Sequence, residues 1–230
     1  MIKDFEAGEV ILIDKPQNWT SFDVVNKLRY ALKVKKIGHA GTLDPLATGL
    51  LILCSGKLTK KIDEYQAQEK EYIGEMTLGE STPSFDSETE ADEFFSVDHI
   101  TPALLLENTA QFTGHITQKP PIYSAVKIDG KRLYELARKG KTIDIPDRQV
   151  EVKVFEITKI DLPKVEFKVI CSKGTYIRSL VNDFGKAVYS GAYMSALRRT
   201  RIGEFKIENA LSVDTFVEMY GVKKTAQEVL

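Results

Sequence analysis

Apolar and polar positions alternate along this chain in two rhythms. Val10-Ile11-Leu12-Ile13 is continuously apolar and predicts a buried strand, followed by a turn over Lys15-Pro16-Gln17-Asn18. Thr20 with Asp23 three residues on makes a capping-box pair, after which Val24, Val25, Leu28 and Leu32 share one helical face. Leu50 to Cys54 predicts a second buried strand, with a short helix near 57–65. Tyr72, Gly74, Met76 and Leu78 alternate with polar neighbours, the two-residue period of a half-buried strand. Val150, Val152, Val154 and then Val165, Phe167, Val169, Cys171 do the same. Helices are expected over 101–112 and 176–188, and a strand from Ile122 to Ile128. A short basic helix through Leu133, Leu136 and Ala137 should stop at Gly140, and a last strand should cover 203–207. Residues 81–98 read as an exposed acidic loop.

These elements follow no strict β-α-β alternation, which points to an α+β fold and not a doubly wound sheet. With no repeat, low-complexity tract or linker, the simplest division is one domain over 1–230 with a basic excursion around 120–148.

Against this regular background, residues 38–51 stand out. Gly-His-Ala-Gly-Thr-Leu-Asp-Pro-Leu-Ala-Thr-Gly-Leu-Leu is too polar and too broken to be a core element, yet it runs straight into the apolar strand at 50–54. A demanding loop docked on a rigid strand is a way to present one reactive side chain, and the candidate is Asp44. An Asp before Pro is also a common turn residue whose carboxylate satisfies local N–H groups. His39, in the same loop, is either a ring bonded to backbone or one that stacks on a nucleic-acid base.

Net charge is −1, but its distribution is uneven. Eight acids in 80–107, with no lysine or arginine among them, leave +7 on the rest of the chain. Lys119, Lys127, Lys131, Arg132, Arg138, Lys139 and Lys141 face only Asp129 and Glu135. Smaller clusters are Lys33, Lys35, Lys36 and Arg198, Arg199, Arg201. Such runs are either solvated surface or a polyanion-binding face. Cys54 and Cys171 each lie in an apolar segment without a Cys or His at ligand spacing. They read as buried thiols in a reducing compartment, so the cytosol is expected. No run of 18 apolar residues predicts a membrane span, and the first residues lack a secretory pattern.

Two chemistries fall away. Between Gly49 and Gly56-Lys57 lie six residues, mostly apolar, and Leu58 follows the lysine, so no phosphate-wrapping P-loop forms. His39, His99 and His115 are the only histidines, and no Gly-x-Ser-x-Gly elbow accompanies them. A second unusual stretch is Cys171-Ser-Lys-Gly-Thr-Tyr-Ile-Arg-Ser-Leu180, where a strand ends, Gly174 permits a tight turn and a helix begins near Tyr176. Arg178 is either a surface helix residue or a guanidinium that holds a carboxylate ionised.

The 38–51 loop resembles the active-site motif of the TruB family of tRNA pseudouridine synthases. Asp14-Lys15-Pro16…Thr20-Ser21, Lys70-Glu71-Tyr72, Pro121 to Lys127, Lys173 to Arg178 and Leu197-Arg198-Arg199 agree in order and spacing, from about residue 9 to 205. The resemblance implies a pseudouridine synthase fold, a mixed and mostly antiparallel sheet flanked by helices. It implies isomerisation of the T-loop uridine at tRNA position 55, with tRNA as partner, neither metal nor organic cofactor, and a monomer in the cytosol. By motif position Asp44 is the catalytic carboxylate, with Tyr72 and Arg178 as further catalytic residues. His39, Tyr176, Leu197 and Lys15 are carried over as substrate-binding, and the basic 120–148 segment as a clamp on the T-loop.

The sequence departs from the family pattern in three places. The chain ends at Leu230, without a match to the family's C-terminal PUA-type domain; Asn18 replaces a glycine; and Thr82-Pro83-Ser84-Phe85-Asp86 replaces a more acidic segment. An RNA-binding or RNA-folding module without catalysis, or a synthase acting on another RNA loop, are the rival readings.

Overall fold

The computed structural model describes residues 4–124, 127–128, 131–132 and 145–222, with 127–128 and 131–132 as backbone alone. In chain order come β1 (Val10–Lys15), α1 (Ser21–Leu32), β2 (Ile37–His39), β3 (Thr48–Ser55), α2 (Ile62–Ala67) and β4 (Lys70–Leu78). The short strands β5 (Glu80–Ser81) and β6 (Glu93–Phe94) precede α3 (Pro102–Asn108) and β7 (Gly114–Gln118). Two-residue strands β8 (Lys127–Ile128) and β9 (Lys131–Arg132) are followed by β10 (Arg148–Asp161), β11 (Lys164–Cys171) and α4 (Ile177–Ala187). The chain continues through β12 (Ala192–Ile202), β13 (Phe205–Lys206), β14 (Leu211–Ser212) and α5 (Val213–Tyr220).

By contacts the chain divides into two compact units, residues 1–70 with 198–230, and residues 71–197. In the first, β1 runs antiparallel to β3 with Asp14 opposite Leu50 and Lys15 opposite Gly49. β14 joins β1 in parallel, and the end of β12 joins β3 in parallel, pairing Arg198 with Thr48 and Arg199 with Gly49. The helix α1 starts where Thr20 and Asp23 predict. Asp23 N–H donates to Thr20 Oγ1 at 3.0 Å and Thr20 N–H to Asp23 Oδ2 at 2.8 Å. This satisfies two of the orphan donors of the first turn. Val24, Val25, Leu28 and Leu32 then pack with Ile11, Ile13, Leu51, Leu53 and Phe216 of α5.

In the second unit the start of β12 is followed by β4, β11, β10 and β7. β10 pairs antiparallel with both β11 and β7. Its core is aromatic: Phe155 meets Phe184 of α4 edge-on at 5.2 Å and Phe167 at 6.0 Å, while Phe112 closes on Phe184 at 5.8 Å. Edge-to-face packing of this kind adds about 1 kcal/mol per pair beyond burial.

The α+β class and the mostly antiparallel sheets agree with the sequence. Four expectations need correction. Of the strand expected from Ile122 to Ile128, residues 122–124 are bends and, among the described residues, only Lys127–Ile128 is extended. The 81–98 loop is not wholly exposed, because Thr82, Ser84 and Asp86 are buried. Only Phe205–Lys206 of the expected 203–207 strand is extended, and a turn of 3-10 helix follows. The arginines at 198, 199 and 201 are not freely solvated charges. Arg198 makes a two-pronged ion pair with Asp14, at 2.7 and 3.0 Å, and Arg201 pairs with Glu69 at 2.8 Å. The basic helix expected at 133–140 lies outside the described residues.

Candidate active site

The Asp44 loop leaves β2 and re-enters the sheet at β3, fastened from several sides. Leu43 is bound by α1's first residue: its N–H donates to Ser21 Oγ at 2.9 Å, and that hydroxyl sits 3.2 Å from the Leu43 carbonyl. Asn18 N–H donates to the Pro45 carbonyl at 2.8 Å. Asn18 has φ 64°, the left-handed geometry that asparagine tolerates better than most residues. Ala47 N–H returns to the Asp44 carbonyl at 3.1 Å. Asp44 itself is half-buried, its neighbours Thr42 and Pro45 exposed. The carboxylate thus sits on a ledge whose backbone is tied down.

Two buried cations lie under this ledge. Lys15, expected among the substrate-binding residues, is 0% exposed. Its ammonium donates to the carbonyls of Pro16, Trp19 and Pro45, at 2.9, 2.6 and 3.2 Å. Burial lowers its pKa to about 8; Asp44 opposes that shift and Arg199 adds to it. Arg199 is 1% exposed, and its guanidinium reaches the carbonyls of Leu50, Gly41 and Thr42. His39 lies in the strand entering the loop. Burial, and then the Arg199 charge, hold its pKa below the usual value against a backbone bond to Gly41. Its imidazole is therefore neutral at pH 7.

Tyr72, Tyr176, Arg178 and Leu197 belong to the second unit. Tyr72 is buried on β4, two residues before Gly74. A β-carbon at Gly74 would meet the Phe167 ring at 2.5 Å, so only glycine allows β4 to lie so close to β11. Leu197 is buried near the middle of β12. Tyr176 is the N-cap residue of α4, and its backbone is gripped by Gln118. Tyr176 N–H donates to Gln118 Oε1 at 3.1 Å, and Gln118 Nε2 donates back to the Tyr176 carbonyl at 3.3 Å.

Arg178, in the first turn of α4, is 4% exposed and is no surface residue. Its Nη1 lies 3.4 Å from Asp86 Oδ2 and donates to the Ser84 carbonyl at 3.1 Å, while Nη2 donates to the Tyr123 carbonyl at 3.0 Å. A buried pair of this kind needs hydrogen bonds beyond its own attraction, and both partners have them. Glu88 N–H supplies one to Asp86 Oδ1 at 2.9 Å. Sequence reasoning missed Asp86, Gln118 and Arg199. The available signal was placement next to a turn or motif, but composition marked them as surface polar residues.

The first unit carries a half-exposed carboxylate on a braced loop, and the second a buried tyrosine on a strand and an ion-paired arginine opening a helix. By family the chain that carries them is a pseudouridylate synthase. Residues 29–177 match the TruB family pseudouridylate synthase N-terminal domain, and residues 178–230 match the tRNA pseudouridylate synthase B C-terminal domain. The chain belongs to the TruB family, whose members are isomerases. It is 54% identical over 223 residues to the tRNA pseudouridine synthase B of Flavobacterium johnsoniae, covering 94% of this chain and 97% of that one. That of Parabacteroides distasonis is 52% identical over 229 residues, covering 96% and 97%. Among solved structures, the crystal structure of a Cbf5-Nop10-Gar1 complex superposes with a TM-score of 0.73 at 32% identity, over 94% of this chain and 55% of that one. An H/ACA RNP bound to a substrate RNA containing 2'-deoxyuridine gives 0.71 at 29% identity, over 94% and 54%. This chain spans about half the length of those two structures.

Among the described residues no group of His, Cys, Asp and Glu is placed to hold a metal ion. None of their helices is long and apolar enough to cross a membrane.

Proposed function

We propose that this protein isomerises the T-loop uridine at position 55 of tRNA to pseudouridine, with Asp44 as its catalytic carboxylate and no cofactor. The observation that carries the reading is the Asp44 ledge: a half-exposed acid on backbone fixed by buried groups, within a chain about half identical to tRNA pseudouridine synthases B along nearly its whole length.

A uridine inside a folded loop is inaccessible, so it is extruded at a cost of a few kcal/mol. Asp44 then acts on the extruded nucleotide so that the N1–C1′ bond opens. The base turns, C5 joins C1′, the C5 proton leaves and N1 gains one, so atoms and charge balance. Tyr72 stacks on the base and accepts the C5 proton. Arg178 is the third catalytic residue of this reading, its guanidinium held by Asp86 and by the Ser84 and Tyr123 carbonyls. Tyr176 and Leu197 complete an apolar wall that keeps water from the intermediate, and His39 fills the place the base has left. Lysines and arginines of the 119–141 segment, which lies mostly outside the described residues, bind phosphates and make affinity salt-dependent. The two buried thiols, Cys54 raised to about 11 by desolvation, suit a reducing compartment. We place the enzyme in the cytosol, acting as a monomer.

The test is an unmodified tRNA transcript incubated with the protein, followed by chemical derivatisation that marks pseudouridine. Product at the T-loop is expected, and none with Asp44→Asn, which should still bind tRNA. An active Asp44→Asn enzyme would overturn the assignment.

A further inference from the structure

A fully buried arginine lies beneath the reactive loop. Arg199 extends from β12, where its backbone pairs with Gly49 at the loop's exit. Its side chain spans both ends of the loop. Nε donates to the Leu50 carbonyl at 2.7 Å on the exit side, and Nη2 donates to the Gly41 carbonyl at 3.2 Å on the entry side. Nη1 approaches the Thr42 carbonyl at 3.5 Å, the longest of the three. Gly41 and Gly49 take φ +97° and +100°, conformations that turn the backbone in ways side-chain-bearing residues rarely accept.

We propose that Arg199 is a positioning residue for Asp44, a single planar guanidinium that ties the entry of the catalytic loop to its exit. This rests on the reading of Asp44 as the catalytic carboxylate. The entry carbonyls lie two and three residues before Asp44 and the exit carbonyl six after it, so the fork fixes the chord on which the carboxylate stands. A lysine cannot do this. Its ammonium is one point at the end of a flexible stem, whereas the guanidinium presents donors in a rigid fork wide enough for both ends. Lys15 binds the middle of the loop at Pro45 and leaves the ends to Arg199.

The experiment compares Arg199→Lys with wild type, with Asp44→Asn and with Arg201→Gln, a neighbour on the same strand committed to Glu69. Single-turnover rate, KM, tRNA affinity, thermal melting and amide exchange are read for each. For Arg199→Lys, the rate should fall on the order of 100-fold, the cost of misplacing a reactive group by about 1 Å. Its tRNA affinity should stay within roughly threefold, because phosphate contacts dominate binding. The Leu43 and Ala47 amides, bonded in the wild-type loop, should exchange faster. Arg201→Gln should keep its rate.

A folded Arg199→Lys enzyme with wild-type rate would overturn the proposal, as would a rate loss matched by an equal loss of tRNA affinity. If Arg199→Lys fails to fold, the wild-type protein decides. Slow exchange of the Arg199 Nε–H proton, bonded to the Leu50 carbonyl, supports the clamp, and exchange at the rate of a solvated guanidinium sinks it. An active Asp44→Asn enzyme would instead overturn the reading of Asp44, which separates the two failures.

Discussion

Gly49 and Arg199 lie so close that a β-carbon on Gly49 would stand 2.3 Å from the Arg199 carbonyl oxygen and 2.8 Å from its nitrogen. Both obstacles are backbone of a paired strand and cannot step aside. Gly49 also has φ +100°, which strains any L side chain. Gly49→Ala should therefore destabilise the protein by about 3 kcal/mol or more, through strain and forced separation of β3 from β12. The midpoint of urea unfolding should fall at unchanged slope, and isomerisation should be lost even at temperatures where the variant stays folded.

The Arg178–Asp86 pair predicts a second large effect. Both side chains are buried, 4% and 3% exposed, so removing the carboxylate leaves a desolvated cation. Asp86→Ala should cost about 3 kcal/mol, the range for breaking a buried pair from one side. Glu75→Gln is the control. Its partner Lys164 is more than half exposed, and pairs in water contribute below about 1 kcal/mol. Thermal melts of the two variants should differ by several degrees. Equal melts would show that Asp86 holds nothing in place.

How much of this was legible in the chain depends on which physical signal each residue carried. β1, α1, β4, β10, β11 and α4 declared themselves by period, and Thr20 with Asp23 by capping chemistry. The Asp44 loop stood out because glycines and Asp-Pro interrupt an apolar region. β12 did not, since Arg198, Arg199 and Arg201 look like solvated charge until their partners Asp14, Leu50 and Glu69 are seen, all more than a hundred residues away in sequence. Asp86 was hidden for the same reason: one acid among eight, buried together with its partner Arg178. Periodicity reports which face is apolar. It is silent on a charge that is buried with its partner.

Lys15 gives a prediction whose sign follows from linkage. Its pKa falls from 10.5 to about 8 in the folded protein. Below pH 8 both states hold the proton and the folded state bears the full cost of a buried charge. Between about pH 8 and 10.5 the unfolded chain binds the proton more tightly, so this contribution to stability rises with pH. The rise should not exceed about 3 kcal/mol, the value of a shift of this size. Lys15→Met removes the ionisation. Urea melts at pH 7.5 and pH 10 should show wild type gaining stability relative to the variant, and parallel melts would contradict a lowered pKa.

His39 runs the other way in pH. Its pKa lies below 6.5, chiefly because the ring is buried and secondly because Arg199 is positive, with the Gly41 backbone bond acting against both. As pH falls through 6.5 the unfolded chain takes a proton that the folded ring still refuses, so stability drops until the folded pKa is reached and then levels off. His39→Gln keeps a polar side chain of similar reach without the ionisation, so it should lose less stability than wild type between pH 7.5 and pH 5. The same shift bears on catalysis. A neutral ring can slide into an emptied base stack without carrying a charge into it, and above pH 6.5 the single-turnover rate should show no step from His39. NMR titration of the His39 ring decides the matter: a midpoint at or above 6.5 would mean the imidazole is solvated, and would contradict a buried ring held neutral.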